Sequence, residues 1–189
     1  MFLISGLGNP GIQFKGTRHN IGFDIVDSIH KNFNFPDYKT KFNGLISKKI
    51  ISNKTVILFK PQKFMNLSGE PIRNVSNFYK IDFKNNLYIF HDDLDTEFSK
   101  LKVKENGGHG GHNGIKDIIN HIGNNFYRLK FGIKNNLLVE KIIEPSNFVL
   151  SKFTMGEKKL IIKFKKKISN NLNYLLNKNF SLFVNNLSI

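Results

Sequence analysis

Short apolar runs alternate along the chain with longer segments in which apolar residues recur every three or four positions. The short runs, which end at Gly, Asn or Ser clusters or at polar residues, predict strands at residues 2–5, 45–51, 55–59, 87–90, 101–103 and 127–133. The three-to-four spacing predicts helices at residues 20–33, 68–79, 113–122 and 158–176. Strands that alternate with helices are typical of an α/β domain whose sheet is covered on both faces.

The length and composition fit one globular domain. The chain has 189 residues, of which 40% are hydrophobic and 23% are charged, and this is enough to bury a core. It has no repeat and no Pro/Ser-rich linker, so we expect a single domain over residues 1–189. The absence of cysteine excludes disulfides and thiol metal sites. No apolar run approaches the roughly 18 residues of a membrane span, and the first residues lack the basic leader of a signal peptide.

The charge balance is strongly positive. Lys and Arg number 29 against 14 Asp and Glu, which gives a formal net charge of +15. Such a field favours polyanions, among them nucleic acid, anionic lipid and phosphorylated substrates. Three of the 29 are arginines, and an abundance of Lys, Asn, Ile and Phe is also what AT-rich coding produces. The charge alone therefore leaves a binding role open.

A glycine-rich turn follows the first predicted strand. Residues 6–11 (GLGNPG) match the letters of the dinucleotide-binding fingerprint. In that fold the turn leads directly into a helix, whereas here Asn-Pro-Gly forces a further turn and the next predicted helix starts at Asn20. The acidic residue Asp27 then falls inside that helix instead of ending a second strand. The pattern fits better a turn that presents Asn9 at the carboxyl end of a strand.

A histidine and a carboxylate form a candidate catalytic pair. His19 stands at the start of a predicted helix, where a histidine is ordinarily a cap or a surface residue. Asp92 comes directly after the predicted strand 87–90, and the ends of strands are where open α/β sheets hold their ligands. A carboxylate that accepts a hydrogen bond from one imidazole nitrogen leaves the other nitrogen as a base.

Metal binding is the competing interpretation of the same segment. Residues 91–95 (HDDLD) hold three Asp and one His, and His109 and His112 follow nearby. Adjacent Asp92 and Asp93 would point to opposite sides of an extended strand, however, which makes them a poor joint ligand set. We therefore expect no metal here.

Three asparagines lie in separate predicted loops: Asn9, Asn66 and Asn113. The last of them belongs to the stretch 107–114 (GGHGGHNG), whose five glycines permit the close approach of a bulky ligand. Carboxamides supply donors and acceptors without charge, which suits contact with a peptide backbone.

Five segments together resemble the bacterial peptidyl-tRNA hydrolase family. GLGNPG, TRHNIGF, KPQKFMNLSG, HDDLD and GGHGGHNGIKDI occur in the family's order and spacing, over residues 2–133. The resemblance implies a single α/β domain with a twisted mixed sheet flanked by helices. It also implies an enzyme that cleaves the ester between a peptide and the terminal ribose of tRNA, recycling tRNA from abandoned translation. On the same grounds we expect a cytoplasmic monomer without metal, cofactor or membrane association, whose partner is peptidyl-tRNA.

The resemblance also assigns roles to individual residues. His19 matches the base that activates the attacking water, and Asp92 matches the acid that orients it. Asn9 matches the position that separates N-blocked from free aminoacyl-tRNA. The positions that contact the substrate are matched by Phe14, Phe64, Asn66 and Asn113. At Phe14 the family usually has tyrosine, so the ring is kept but a hydroxyl hydrogen bond is lost.

The chain departs from the family pattern in two loops. The family commonly has Pro-Pro-Gly after HDDLD and Gly-x-Pro after FGI, whereas this chain has Thr-Glu-Phe-Ser and Lys-Asn-Asn-Leu. The family resemblance therefore does not predict the shape of the loops after Asp95 and Ile133. The lysines that would contact tRNA phosphates are those of the last predicted helix and three near the glycine-rich stretch, Lys100, Lys102 and Lys104.

An RNA-binding protein that uses the same fold without hydrolysis is the alternative. Some plastid relatives of the family are splicing factors of that kind. The enzyme is favoured because the base, its acid and the three asparagines are all present.

Overall fold

Seven strands form one sheet within residues 1–187, the part of the chain that the computed structural model describes. The strands are β1 (Phe2–Gly6), β2 (Lys39–Lys41), β3 (Gly44–Ile51), β4 (Lys54–Pro61), β5 (Leu87–Glu97), β6 (Leu101–Glu105) and β7 (Tyr127–Lys134). The α-helices are α1 (Ile21–Asn32), α2 (Gly69–Phe78), α3 (Phe83–Asn86), α4 (Asn113–Ile122), α5 (Asn136–Val139), α6 (Pro145–Leu150), α7 (Met155–Asn170), α8 (Leu172–Leu176) and α9 (Phe180–Asn185). Short 3-10 turns occur at Ile12–Phe14, Arg18–Asn20 and Met65–Leu67. Among these described helices none has the length and apolarity needed to cross a membrane.

The sheet is mixed, with strand order β2-β3-β4-β1-β5-β7-β6. The four central strands are parallel, because β1 pairs in that sense with β4 and β5, and β5 with β7. The strands beyond them run antiparallel to their neighbours on both sides. The α/β class predicted from alternating strands and helices is confirmed.

Each face of the sheet packs against its own group of helices. Successive strand side chains point to opposite faces, so in β1 Ile4 packs with the apolar side chains of α1, α7 and α8, while Leu3 packs with those of α2 and α4. The alternation repeats in β5, where Phe90 belongs to the first layer and Ile89 to the second. The prediction that helices cover both faces is confirmed.

The strand that carries Asp92 is longer than predicted. Gly6, the last residue of β1, pairs with Phe90, and β5 then continues from His91 to Glu97. The extra length exists because β7 pairs with β5 through Asp93 and again at Glu97. Asp92 therefore lies inside a strand instead of following it, and the loop after β1 passes directly beside it.

The first turn of α1 lies against the backbone of the sheet. A Cβ atom on Gly22 would come within 2.4 Å of the carbonyl oxygen of Phe90 and 2.5 Å of the Leu7 nitrogen. A Cβ on Gly6 would in turn come within 2.1 Å of the Gly22 carbonyl oxygen. This close approach is available to glycine alone, and it places the residues just before α1 next to β5.

Other elements also differ from the sequence prediction, among them the short helices α3, α5, α6 and α9, which were not predicted. The predicted helix 158–176 is two helices, α7 and α8, which meet at Asn171. The Lys167 carbonyl there accepts from both the backbone N–H and the side chain of Asn171, at 3.0 and 2.8 Å. Strand β2 was not predicted, because its three residues are all exposed and give no apolar signal.

The glycine contact yields a stability prediction. Gly22→Ala should lower the free energy of unfolding by about 1–3 kcal/mol or more, because the added methyl group overlaps the backbone of β5 at Phe90 and of the loop after β1 at Leu7. The control is Gly156→Ala in α7, where a Cβ meets no atom within 4 Å and a small gain in helix stability is expected. Urea denaturation of the two variants is the measurement. Equal stability would show that α1 can move away from the sheet without loss.

Candidate active site

His19 and Asp92 meet in a buried hydrogen bond. The Nδ1 atom of His19 lies 2.9 Å from Oδ1 and 3.0 Å from Oδ2 of Asp92, and both residues are buried. The 3-10 turn Arg18–Asn20 carries the histidine and β5 carries the acid. Because an ionised carboxylate only accepts, the proton lies on Nδ1 and leaves Nε2 as the acceptor of the neutral ring. The structure thus brings together the two residues that the sequence singled out.

Asp93 points away from this pair, as expected for the next residue of a strand. Its carboxylate forms an ion pair with Lys130 at 2.9 Å and accepts a short hydrogen bond from Thr96. Burial raises the pKa of Asp93, but the hydrogen bonds from Thr96 and Lys130 outweigh burial and hold this pKa below its usual range. Asp93 is therefore part of the sheet's own contacts and not of the His19 pair.

A second histidine holds the same carboxylate. His112 Nε2 lies 2.9 Å from Asp92 Oδ1, and His112 Nδ1 accepts from the backbone N–H of Ile115 at 3.2 Å. That second bond makes His112 the N-cap of α4 and fixes its proton on Nε2, which donates to Asp92. His112 entered the sequence analysis only as a possible metal ligand. Its position one residue before a predicted helix was the signal for a cap.

The two imidazoles lower the pKa of Asp92, and Asp92 in turn raises the pKa of His19. Burial raises the pKa of Asp92, but the charges and hydrogen bonds of His19 and His112 outweigh burial and hold this pKa well below its usual range. Burial lowers the pKa of His19, but the charge and hydrogen bond of Asp92 outweigh it, so this pKa lies above its ordinary value. Asp92 is thus ionised near neutral pH, and His19 is a stronger base than a free imidazole.

His91 lies behind this group as a neutral residue. Burial, helped by the charge of His112, lowers the pKa of His91 to about 3. Its Nδ1 atom donates to the backbone carbonyl of Asp92 at 2.7 Å, and its ring packs edge-on against His112 with centroids 4.8 Å apart. His91 therefore supports the backbone and one of the imidazoles, and its ring stays uncharged near neutral pH.

Three donor atoms are close enough to hold a metal ion. The ligand atoms of His19, Asp92 and His112 all lie within 4.8 Å of one another. The proton on His112 Nε2 argues against a metal, because that nitrogen could ligate only if the ring gave up either this proton or its cap on α4. The hydrogen bonds between these groups satisfy the buried carboxylate without an ion.

Asn9 is held rigidly by hydrogen bonds on three sides. Its backbone N–H donates to Asn20 Oδ1 at 2.8 Å, and its carbonyl accepts from Asn20 Nδ2 at 2.9 Å. Its side-chain Oδ1 accepts from the backbone N–H of Met65 at 2.7 Å. The amide orientation is thereby fixed, so Nδ2 is the part of the carboxamide left to meet a ligand. The role of Asn20 was not predicted, because its partner lies in another loop and no local pattern marks it.

The remaining predicted site residues line one groove beside His19. Phe14 and Phe64 pack edge to face with centroids 6.3 Å apart, and Phe64 is 55% exposed. The groove wall is completed by α6, a contribution that the sequence analysis did not foresee. The lining residues are Asn9, Phe14, His19, Phe64, Met65, Asn66, Asn113, Ser146, Val149 and Leu150.

A second, more enclosed cavity also borders His19. It is bounded by the glycine-rich stretch before α4 and by α6, and its lining residues are His19, Asp92, Asp93, Leu94, Gly110, Gly111, His112, Asn113, Pro145, Ser146 and Val149. His19 and Asn113 border both cavities, as do Ser146 and Val149 of α6. A ligand bound across the two would therefore place its middle against the imidazole.

Comparison with known proteins identifies relatives along the whole chain. The family model described as peptidyl-tRNA hydrolase matches residues 3–188. The peptidyl-tRNA hydrolase of Fusobacterium nucleatum is 45% identical over 170 residues, which cover 90% of this chain and 86% of the relative. That of Wolbachia sp. from Brugia malayi is 41% identical over 187 residues, which cover 99% of this chain and 100% of the relative.

A solved structure agrees with the fold. The crystal structure of peptidyl-tRNA hydrolase from Acinetobacter baumannii superposes with a TM-score of 0.87 at 34% sequence identity. The superposition covers 99% of this chain and 94% of that chain. The chain thus belongs to the peptidyl-tRNA hydrolase family.

Proposed function

We propose that this protein hydrolyses the ester between an N-blocked peptide, or an N-acyl-aminoacyl group, and the terminal ribose of tRNA. The observation that carries the proposal is the His19–Asp92 hydrogen bond, buried between two cavities that share Asn113. Because the family is one of hydrolases and the base, its acid and all three asparagines are present, a non-hydrolytic RNA-binding role has no support.

His19 acts as the base in this proposal. Its Nδ1–H donates to Asp92, so its Nε2 lone pair is available to take a proton from a water molecule. The water then attacks the ester carbonyl, and the protonated imidazole returns its proton to the departing ribose oxygen. Asp92 stabilises the imidazolium that forms between these two steps, while His112 keeps the carboxylate in place.

Carboxamides would hold the substrate around the reacting bond. Asn66 and Asn113 line the groove beside His19, and their amide groups can donate to the carbonyl oxygen on which negative charge develops. Phe14 and Phe64 present two rings in the same groove, which suits side chains of a peptide or a base of the tRNA end. These roles match the positions that the family resemblance assigned to the four residues.

Asn9 would read the blocked amino group. Because Met65 N–H uses the Asn9 oxygen, Nδ2 is a donor that can meet a carbonyl of the acyl group. The α-ammonium of a free aminoacyl-tRNA would meet this donor instead of an acceptor, and a buried, unpaired ammonium is unfavourable. The preference for N-blocked over free aminoacyl-tRNA then follows from the fixed orientation of the Asn9 carboxamide.

We further infer a cytoplasmic monomer that works without a metal and contacts tRNA phosphates through lysine. Lys102 and Lys104 are exposed on β6, whereas Lys100 forms an ion pair with Glu97. Lysine–phosphate contacts do not depend on the nucleotide sequence, and they weaken as the salt concentration rises. Electrostatic contacts would therefore hold the body of the tRNA, independently of the chemistry at His19.

Replacement of the base gives the first test. His19→Ala should reduce turnover of N-acetyl-aminoacyl-tRNA by about 10²-fold or more, with little change in affinity for tRNA. His109→Ala is the control, since His109 is exposed in the glycine-rich stretch. Both variants are assayed with and without EDTA, which should leave wild-type turnover unchanged. A wild-type loss on chelation, or near-normal turnover of His19→Ala, would contradict the mechanism.

The pH profile gives the second test. Neutral His19 is the active form, so kcat/KM should fall as pH drops through a pKa that lies above 6.5. Asp92→Asn removes the charge that raises this pKa, so the acidic limb should move to lower pH. Turnover should also fall on the order of 10²-fold or more, because the new amide can donate to the imidazole and favour the wrong tautomer.

The matched control for that variant is Asp93→Asn. Asp93 borders the second cavity, but its carboxylate is held by Lys130 and Thr96 and forms no hydrogen bond with His19. The acidic limb and the turnover of this variant should therefore change much less than those of Asp92→Asn. Equal effects at the two positions would favour a shared carboxylate cluster over a single His–Asp pair.

Substrate discrimination gives the third test. In Asn9→Asp one carboxylate oxygen still accepts from Met65 N–H, while the other supplies a counter-charge for an α-ammonium. This variant should narrow the preference for N-acetyl-aminoacyl-tRNA over free aminoacyl-tRNA. Raising salt from about 50 to 200 mM should weaken the binding of both substrates by a similar factor, in the wild type and in the variant. If salt alone changed the discrimination, selectivity would belong to the lysines and not to Asn9.

A further inference from the structure

The residue before the proposed base is a buried arginine. Arg18 is 1% exposed, and its guanidinium lies between the rings of Phe148 and Phe153 at 4.4 and 4.8 Å from their centroids. Its Nη2 donates to Glu157 at 2.9 Å, and its Nε donates to the Ser151 hydroxyl at 3.2 Å. Its backbone N–H also donates to the Ser151 carbonyl at 3.0 Å. Arg18 therefore joins the turn of His19 to the chain around α6.

Glu157 collects further hydrogen bonds from both sides of α6. Its Oε2 accepts from the backbone N–H of Thr154 at 2.8 Å, and its Oε1 accepts from the Asn135 side chain at 3.2 Å. Asn135 caps α5 and Thr154 caps α7. Residues 135–154, which we call the wall segment, are thus fastened at both ends to one carboxylate. Burial raises the pKa of Glu157, but the hydrogen bond from Arg18 and those from Thr154 and Asn135 outweigh it, so the carboxylate is ionised.

The wall segment forms one side of the site. Ser146 and Val149 of α6 border both cavities beside His19, while Phe148 of the same helix turns inward onto Arg18. One face of α6 therefore meets the ligand space and the other meets the guanidinium. The width of the groove depends on where Arg18 holds this helix.

We propose that Arg18 and Glu157 are positioning residues, which fix the wall segment at the distance from His19 that the substrate requires. This inference rests on the proposed hydrolysis of peptidyl-tRNA. The pair acts on substrate binding and not on proton transfer, because the imidazole is oriented separately by Asp92, in β5. Small displacements of a binding wall have large kinetic effects, since a productive arrangement of substrate and catalytic group tolerates only errors well below about 1 Å.

A plain structural role makes a different prediction. A buried ion pair can often be exchanged for apolar side chains of similar volume without loss of stability. Stability and wall position can therefore be separated by replacing both charges, because two flexible methionines fill the space but do not fix its geometry. If the pair served stability alone, restoring stability would also restore activity.

The experiment compares four proteins on N-acetyl-aminoacyl-tRNA: wild type, Glu157→Gln, Val56→Ala and the double variant Arg18→Met/Glu157→Met. Glu157→Gln removes the counter-charge of Arg18. Val56→Ala deletes buried methyl groups near the start of β4, where Val56 pairs with Phe2, and belongs to neither the ion pair nor the wall segment, so it measures the effect of lost stability alone. Each is assayed for kcat, KM, the acidic limb of its pH profile and its thermal midpoint, at a temperature where all are folded.

We expect KM to rise roughly tenfold or more in Glu157→Gln and to stay raised in the double variant, whatever its thermal midpoint. The acidic limb should be unchanged in both, and Val56→Ala should keep the wild-type KM. A wild-type KM in Glu157→Gln, an equal KM rise in Val56→Ala, or a KM restored together with stability would overturn the inference. If Glu157→Gln does not fold, Arg18→Lys, which keeps the charge but loses the planar group between the rings, takes its place with the same expected outcomes. An inactive wild type would instead refute the proposed hydrolysis.

Discussion

Asp92 is a carboxylate removed from water, and such a group is stable in the folded state only where donors surround it. Two imidazoles supply the donors, His19 from the turn before α1 and His112 from the cap of α4. Helix α1 packs on one face of the sheet and α4 on the other. The need to satisfy a single buried charge therefore ties both helix layers to the central strand β5.

Polar groups that line the groove and the second cavity are also held in fixed orientations by hydrogen bonds. Asn9 has its backbone and its amide oxygen fixed by Asn20 and Met65, and His112 has both ring nitrogens in hydrogen bonds. Groups that are already oriented need little rearrangement when charge develops on a bound substrate. A ligand in these cavities therefore meets polar groups whose orientation is already set before it binds.

The sequence predicts those features whose causes are local. Helix α4 has the predicted bounds, residues 113–122, because its apolar spacing and its cap are contained in one short segment. The full length of β5 depends on pairing with β7, and the apolar residues keep their spacing across the break between α7 and α8, so neither feature follows from that spacing. His19 and Asp92 could be paired from motifs, although 73 residues separate them.

Long-range partners explain the functional residues that were missed. Arg18 meets Glu157 at a separation of 139 residues, and Asn20 meets Asn9 in another loop, so no pattern along the chain reveals either contact. The wall that α6 contributes to both cavities has the same origin, because its place is fixed by contacts with the turn of His19. Such features become visible only when distant segments share one space.

The two outermost strands of the sheet have a property that concerns the protein in a crowded solution. Strand β2 has three residues and β6 five, and their exposed side chains include Lys39 and Lys41 on one edge and Lys102 and Lys104 on the other. A sheet edge offers unpaired backbone groups to other chains, and short strands bearing lysine resist such pairing. Part of the excess positive charge thus protects the molecule against edge-to-edge aggregation. Neutralising these four lysines would expose that liability even with every catalytic group intact.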